Sequence, residues 1–214
     1  MSKIKRIAVP YFSIPKHIIW LMCADVFLQL INSSFVISLN FYMLDEGFKD
    51  YEITSIIGNR YLAVLLCSIP LALLVKGKKM KPFMLTGSIL APLVSVLLIW
   101  AIHIHNNELI RLLMTLWGIA FSLLQILVMP YLLLNGNKES ETESISLFFA
   151  AGNITMIIVG GLNYILPSLT PLFDNRNLLY LFSMIGFVGV YFVLQLPKNE
   201  KSGTKVPLSS FHQD

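Results

Sequence analysis

Six apolar stretches, each long enough to cross a lipid bilayer, take up nearly all of this 214-residue chain. A bilayer core roughly 30 Å thick needs about 20 apolar residues per helix, and the stretches run over 18–44, 52–75, 83–104, 109–134, 145–167 and 178–196. Residues 1–16 form an N-terminal arm, 17–197 a six-helix bundle, and 198–214 a tail or the start of a linker. Hydrophobic residues make up 56% of the chain, charged residues 13%, and mean hydropathy is +0.71, values of the membrane class rather than a soluble domain. The pI near 9.0 does not point to nucleic acid, because the basic residues flank the spans and read as topology determinants. Cys23 and Cys67 both lie inside spans, with neither a disulfide framework nor a metal-ligand spacing. The first span is too long for a signal peptide and is expected to be retained.

Orientation follows from the sixteen basic residues. Lys3, Lys5, Arg6 and Lys16 precede span one; Lys76, Lys78, Lys79 and Lys81 join spans two and three; Lys138 joins four and five; Lys198, Lys201 and Lys205 follow span six. The opposite side holds only Lys49, Arg111 and Arg176, while Arg60 lies within a span. Basic residues are retained in the cytoplasm, so both termini are expected there. The acidic first outer loop, Asp45 to Asp50, fits the outside. The polar tail reads as a disordered cytoplasmic segment, as a linker would begin.

Ionisable groups and amides do not belong in oil and normally face a cavity or a partner. Span one carries Asp25, Gln29, Asn32, Ser33 and Asn40 on one helical stripe, opposite Trp20, Val26, Leu28, Phe35 and Ile37. Span two carries Ser55, Asn59 and Ala63 four apart, with Arg60 beside Asn59. Arg60 and Asp25 lie at similar depths from opposite ends, so the two are expected to approach each other. Arg60 reads as half of a structural ion pair, as a snorkelling cation, as part of an unspecific polar lining, or as the anchor for an anionic substrate group. In the last case Asp25 is a proton-titrated or cation-binding carboxylate.

Span four brings Thr115, Gly118, Ser122 and Gln125 to one face, with Pro130 near its inner end; span five brings Ser144, Gly152, Asn153, Thr155, Gly160, Gly161 and Asn163. The glycines read as close-packing positions. Gln125 and Asn153 are either interhelical hydrogen-bond partners or cavity lining. Spans three and six, with Ser88, Pro92, Ser95, Ser183, Gly186 and Gly189, carry no amide or ionisable group in mid-span and look lipid-facing. Two wet helices followed by a dry one, occurring twice, predict two three-helix units of inverted topology.

With these residues on the page, the chain over residues 10–200 resembles the N-terminal half of a major facilitator superfamily transporter. Part of the family's signature between helices two and three has a counterpart in Lys76-Gly77-Lys78-Lys79-Met80-Lys81, although its earlier glycine and aspartate fall on Pro70 and Leu74. The glycine-rich antiporter motif of helix five is matched only by Gly152 and Gly160-Gly161, without its proline, so antiport is not inferred. The resemblance implies an all-α bundle whose first, second, fourth and fifth helices line a central cavity. It also implies a second six-helix half, either a missing C-terminal half or another copy of this chain.

An intramembrane enzyme is disfavoured, since no span carries a nucleophile–base pair, a zinc motif or paired glutamates. His17, His103, His105 and His212 lie near span ends or in the tail and read as interfacial residues. The run Glu139 to Glu143 reads as a solvated loop that favours the start of helix five. A channel subunit or a scaffold without carrier activity is the alternative. The reading favoured is a half-transporter in the cytoplasmic membrane. It would move a small solute, anionic if Arg60 holds it and coupled to a proton if Asp25 titrates, by alternating access, with no cofactor.

Overall fold

The computed structural model describes Tyr11, residues 13–170 and residues 172–198. The N-terminal Lys3, Lys5 and Arg6, the C-terminal Lys201, Lys205 and His212, and the expected disordered tail lie outside the described residues. Among those described, every regular element is helical: α1 (Lys16–Asp45), α2 (Asp50–Val75), α3 (Lys81–His103), α4 (Asn107–Asn135), α5 (Glu141–Leu169), α6 (Asn175–Gly186) and α7 (Val188–Leu194). A single 3-10 turn at Lys138–Ser140 precedes α5. Six segments are long and apolar enough to cross a membrane, the last formed by α6 and α7 in series. The chain is a multi-pass helical membrane protein.

Local chemistry sets the helix ends. The side chains of Asn106 and Asp174 accept hydrogen bonds from the backbone N–H groups of Leu109 (3.1 Å) and Asn177 (2.8 Å), capping α4 and α6. Gly47 (φ +88°) and Gly77 (φ +72°) take the left-handed conformation that turns the chain out of α1 and α2. Side-chain contacts then fix the threading. At one end His17 Nε2 lies 2.8 Å from the Asn135 carbonyl, and Lys81 Nζ donates to the carbonyls of Leu194 (2.8 Å) and Leu196. At the other end Asn175 Nδ2 donates to Asp45 Oδ2 (2.9 Å), and Arg111 Nη1 to Ser55 Oγ (3.1 Å). Lys16, Lys76, Lys78, Lys79, Lys81, Lys138 and Lys198 thus gather at one end, and Lys49, Arg111 and Arg176 at the other.

Packing is unequal among the helices. α1 runs along α5 and along α6–α7; α4 runs along α2 and α3; α3 closes the bundle against α6–α7. One apolar core, including Ile18, Leu21, Met84, Leu124 and Tyr131, fills the lysine-rich end, and a second, including Phe35, Met43, Leu98, Ile110 and Trp117, fills the other. Small residues allow the closest approaches: a Cβ on Gly118 would lie 2.8 Å from the Arg60 carbonyl oxygen, and one on Gly87 3.1 Å from that of Ala120.

Two expectations are refined. α3 and α6–α7 do turn an apolar stripe outward, with Leu93, Leu97, Trp100, Met184, Val188 and Tyr191 exposed, but their other faces are buried. The least covered helices are α2 and α5, each with 17% of its apolar window buried inside the bundle against 56% for α1, α3 and α4. Their uncovered surface is mostly apolar, including Leu65, Leu66, Ile69, Ile157 and Tyr164. The cause is that α2 rests almost entirely on α4, and α5 on α1, so each is packed along one narrow stripe.

Candidate functional site

Hydroxyls and amides divide the labour inside the bundle. Thr115, Ser122, Ser144 and Thr155 each donate to a carbonyl one turn back on their own helix, so they satisfy themselves and leave no interhelical bond. Several of the bonds that cross between helices at mid-depth involve α1. Arg60 Nη2 on α2 donates to Asn32 Oδ1 at 2.6 Å, and Asn32 Nδ2 donates to Gln29 Oε1 at 3.2 Å. One turn nearer the lysine-rich end, Asp25 Oδ1 accepts from Gln125 Nε2 of α4 at 2.9 Å.

Arg60 and Asp25 therefore do not form the direct ion pair that was one reading of the sequence. Asn32 lies seven residues beyond Asp25 on α1, about 10 Å along the axis at 1.5 Å per residue, and Gln29 stands between them. Both charged groups are withdrawn from the surface, with Asp25 2% and Arg60 8% exposed. The Arg60 guanidinium lies 4.1 Å over the Trp117 ring, 5.3 Å from that of Tyr61 and 5.4 Å from that of Phe121, and its Nε has no hydrogen-bond partner among the described residues. Stacking with π-faces offsets part of the desolvation of the cation. Trp117 is itself held: its Nε1 donates to Ser95 Oγ at 2.6 Å, and it stacks between Phe35 (5.2 Å) and Phe121 (5.4 Å).

Two cavities flank this polar chain. One, of about 220 Å³, lies among α1, α4 and α5 and is lined by Asp25, Gln29, Asn32, Ser33, Gln125 and Asn153, with Phe148, Phe149 and Met156. The other, of about 250 Å³, lies among α1, α2 and α4, where Asn40, Arg60, Tyr61 and Met114 line it. It adjoins a wider cleft of about 860 Å³ between α1 and α2 that reaches Leu44 and Asp50 at the far end. Seven of the eight singled-out residues thus line one or other of these two cavities. Gln125 is both hydrogen-bond partner and cavity lining, and Asn153 lines the first cavity.

Asn59 lines neither. The flank of α2 that faces the cleft is Thr54, Ile57, Gly58 and Tyr61, whereas Ser55, one turn before Asn59, turns toward Arg111 on α4. The four-residue spacing of Ser55, Asn59 and Ala63 located a real stripe on α2 but not the side that faces α1. The aromatic setting of Arg60 was not anticipated from sequence. Trp117 and Phe121 share one face of α4 four residues apart, beside Gly118, and that spacing was the available signal.

No protein-family model, curated protein or solved structure matches this chain. Fold and site together define a multi-pass helical bundle with a buried polar relay between two cavities.

Proposed function

We propose that the chain is one six-helix half of a secondary carrier that moves a small solute across the cytoplasmic membrane by alternating access. The observation that carries this reading is the Arg60–Asn32–Gln29 chain and the neighbouring Asp25–Gln125 pair, buried between cavities that open on different sides of α1. Buried charges in a membrane bundle normally mark a substrate or ion pathway. Arg60 anchors an anionic group of the solute, and Asp25 takes up a coupled proton or cation. In this reading both termini lie in the cytoplasm, which the gathering of lysine at one end supports.

An inverted repeat of three helices also has support. Exchanging α1 with α4, α2 with α5, and α3 with α6–α7 carries the pairing of α1 with α5 onto that of α4 with α2, and the pairing of α1 with α6–α7 onto that of α4 with α3. A second six-helix half, of the kind found in the major facilitator superfamily, covers the clefts and the uncovered sides of α2 and α5. We read the protein as a carrier without enzymatic activity. Uptake into proteoliposomes with and without a pH gradient tests this. Saturable, gradient-driven uptake is expected, and unsaturating electrical conductance would replace the carrier with a pore.

A further inference from the structure

The groove between the lysine-rich ends of α2 and α4 belongs to no part of the transport route. It encloses about 320 Å³ and is lined by Leu73, Ile126, Leu127, Pro130 and Leu134, with Lys76 at its mouth. Pro130 of α4 lines it, and at its end Gly77 turns the chain away toward α3. The lysines of this loop have different commitments. Lys81 Nζ donates to the carbonyls of Leu194, the last residue of α7, and of Leu196, Lys79 Nζ lies 3.4 Å from the Lys198 carbonyl, and Lys78 sits 5.9 Å over the Phe83 ring. Lys76 is exposed, and its amine makes no hydrogen bond or ion pair among the described residues.

From this we infer a binding site for an anionic phospholipid, with an acyl chain in the α2–α4 groove and the phosphate on Lys76. An oil-lined groove at the membrane boundary with one uncommitted cation at its mouth complements a molecule that is apolar along its length and negative at its head. Lys78 and Lys79 add to the positive field there without occupying the groove. Among the described residues no acidic side chain lines the groove to oppose an anionic head.

The test uses the full chain in nanodiscs and native mass spectrometry. The probes are dioleoyl phosphatidylglycerol and dioleoyl phosphatidylcholine, with the uncharged headgroup sugar of a maltoside detergent as background. Phosphatidylglycerol is expected to be retained in preference to phosphatidylcholine, and Lys76→Gln to weaken its retention about fivefold. Lys49→Gln, the same change of charge at the other end, is expected to leave retention unchanged. Leu134→Trp, which fills the groove, should abolish retention, with thermal unfolding in lipid-free detergent checking that this variant still folds. Equal loss in the Lys49 and Lys76 variants, or equal retention of the two lipids, would overturn the site. A Leu134→Trp variant that dissociates a dimer while keeping its lipid would assign the groove to a second copy of the chain. If Leu134→Trp does not fold, Lys76→Gln decides alone, because its side chain is exposed.

Discussion

At Arg60 a cation that does not lose its proton in proteins is held by one amide oxygen, the face of an indole and two further rings. That leaves donors of the guanidinium free for an anion, and hydrogen bonds to charged groups are worth about 1.5–3 kcal/mol each. Arg60→Ala is therefore expected to lower uptake of an anionic solute by about tenfold or more while the protein still inserts. Arg60→Lys should lose nearly as much, because an ammonium lacks the planar fork that stacks on Trp117 and reaches Asn32 together. Uptake assays on equal amounts of reconstituted protein read both. Full activity in Arg60→Ala would remove the residue from the pathway.

A different residue predicts a dependence on pH. His105, in the loop between α3 and α4, has Nε2 2.7 Å from the Glu46 carbonyl and Nδ1 3.1 Å from the His103 carbonyl. A carbonyl accepts only, so both nitrogens must carry protons to satisfy the pair. These contacts raise the pKa of His105 above its ordinary value, the Glu46 carbonyl contributing most. A raised value in the folded state means that the protonated ring favours folding. The contribution is complete below the ordinary value near 6.5 and fades as pH rises through the raised one. The difference in thermal unfolding between His105→Ala and the parent should therefore be largest at low pH and narrow as pH rises, leaving a pH-independent part from the lost stack on Phe48. A constant difference would deny the ring any proton-linked role.

Between elements, stability depends on a few close crossings. Adding a Cβ at Gly118 would bring it 2.8 Å from backbone of α2, which cannot rotate aside as a side chain can. Gly118→Ala should cost about 1–3 kcal/mol by pushing α2 off α4. Gly152→Ala should cost little, since nothing lies within 4 Å of such a Cβ. Denaturation in mild detergent compares the two, and equal effects would contradict the packing described. Lys81, at the start of α3, places its amine on the terminal carbonyls of α7, where a cation also complements the helix dipole. Lys81→Met should cost about 1 kcal/mol in the same assay.

How far the sequence was legible is also clearest here. Span limits were readable because hydropathy and length alone set them. The predicted sixth span, 178–196, corresponds to α6 and α7 running from Asn175 to Leu194, with a tightened turn at Phe187 between two glycines that pack on α1. The α1 stripe from Asp25 to Ser33 was readable because α1 touches nearly every other helix, so each of its polar residues meets a neighbour. α2 was not, because a helix packed along one narrow stripe leaves the roles of its remaining faces undetermined by spacing. For that reason Asn59 is not among the residues lining the cleft, and Tyr61, which lines it, went unnoticed.

For the whole molecule, the question is what covers α2, α5 and the clefts beside α1. Apolar surface alone could face lipid, but cavities lined by Asp25, Gln29, Asn32, Gln125 and Arg60 are poorly matched to acyl chains and well matched to water. If a second bundle closes over them, water must reach these residues while Leu93 of α3 and Met184 of α6 remain in lipid. Single cysteines, introduced after replacing Cys23 and Cys67, make this directly measurable with a membrane-impermeant thiol reagent. Asn32→Cys, Gln125→Cys and Asn153→Cys are expected to react, with rates that change when solute is added, while Leu93→Cys and Met184→Cys stay silent. Silence at Asn32, Gln125 and Asn153 under every condition, or reaction at all five alike, would contradict a hydrated translocation route.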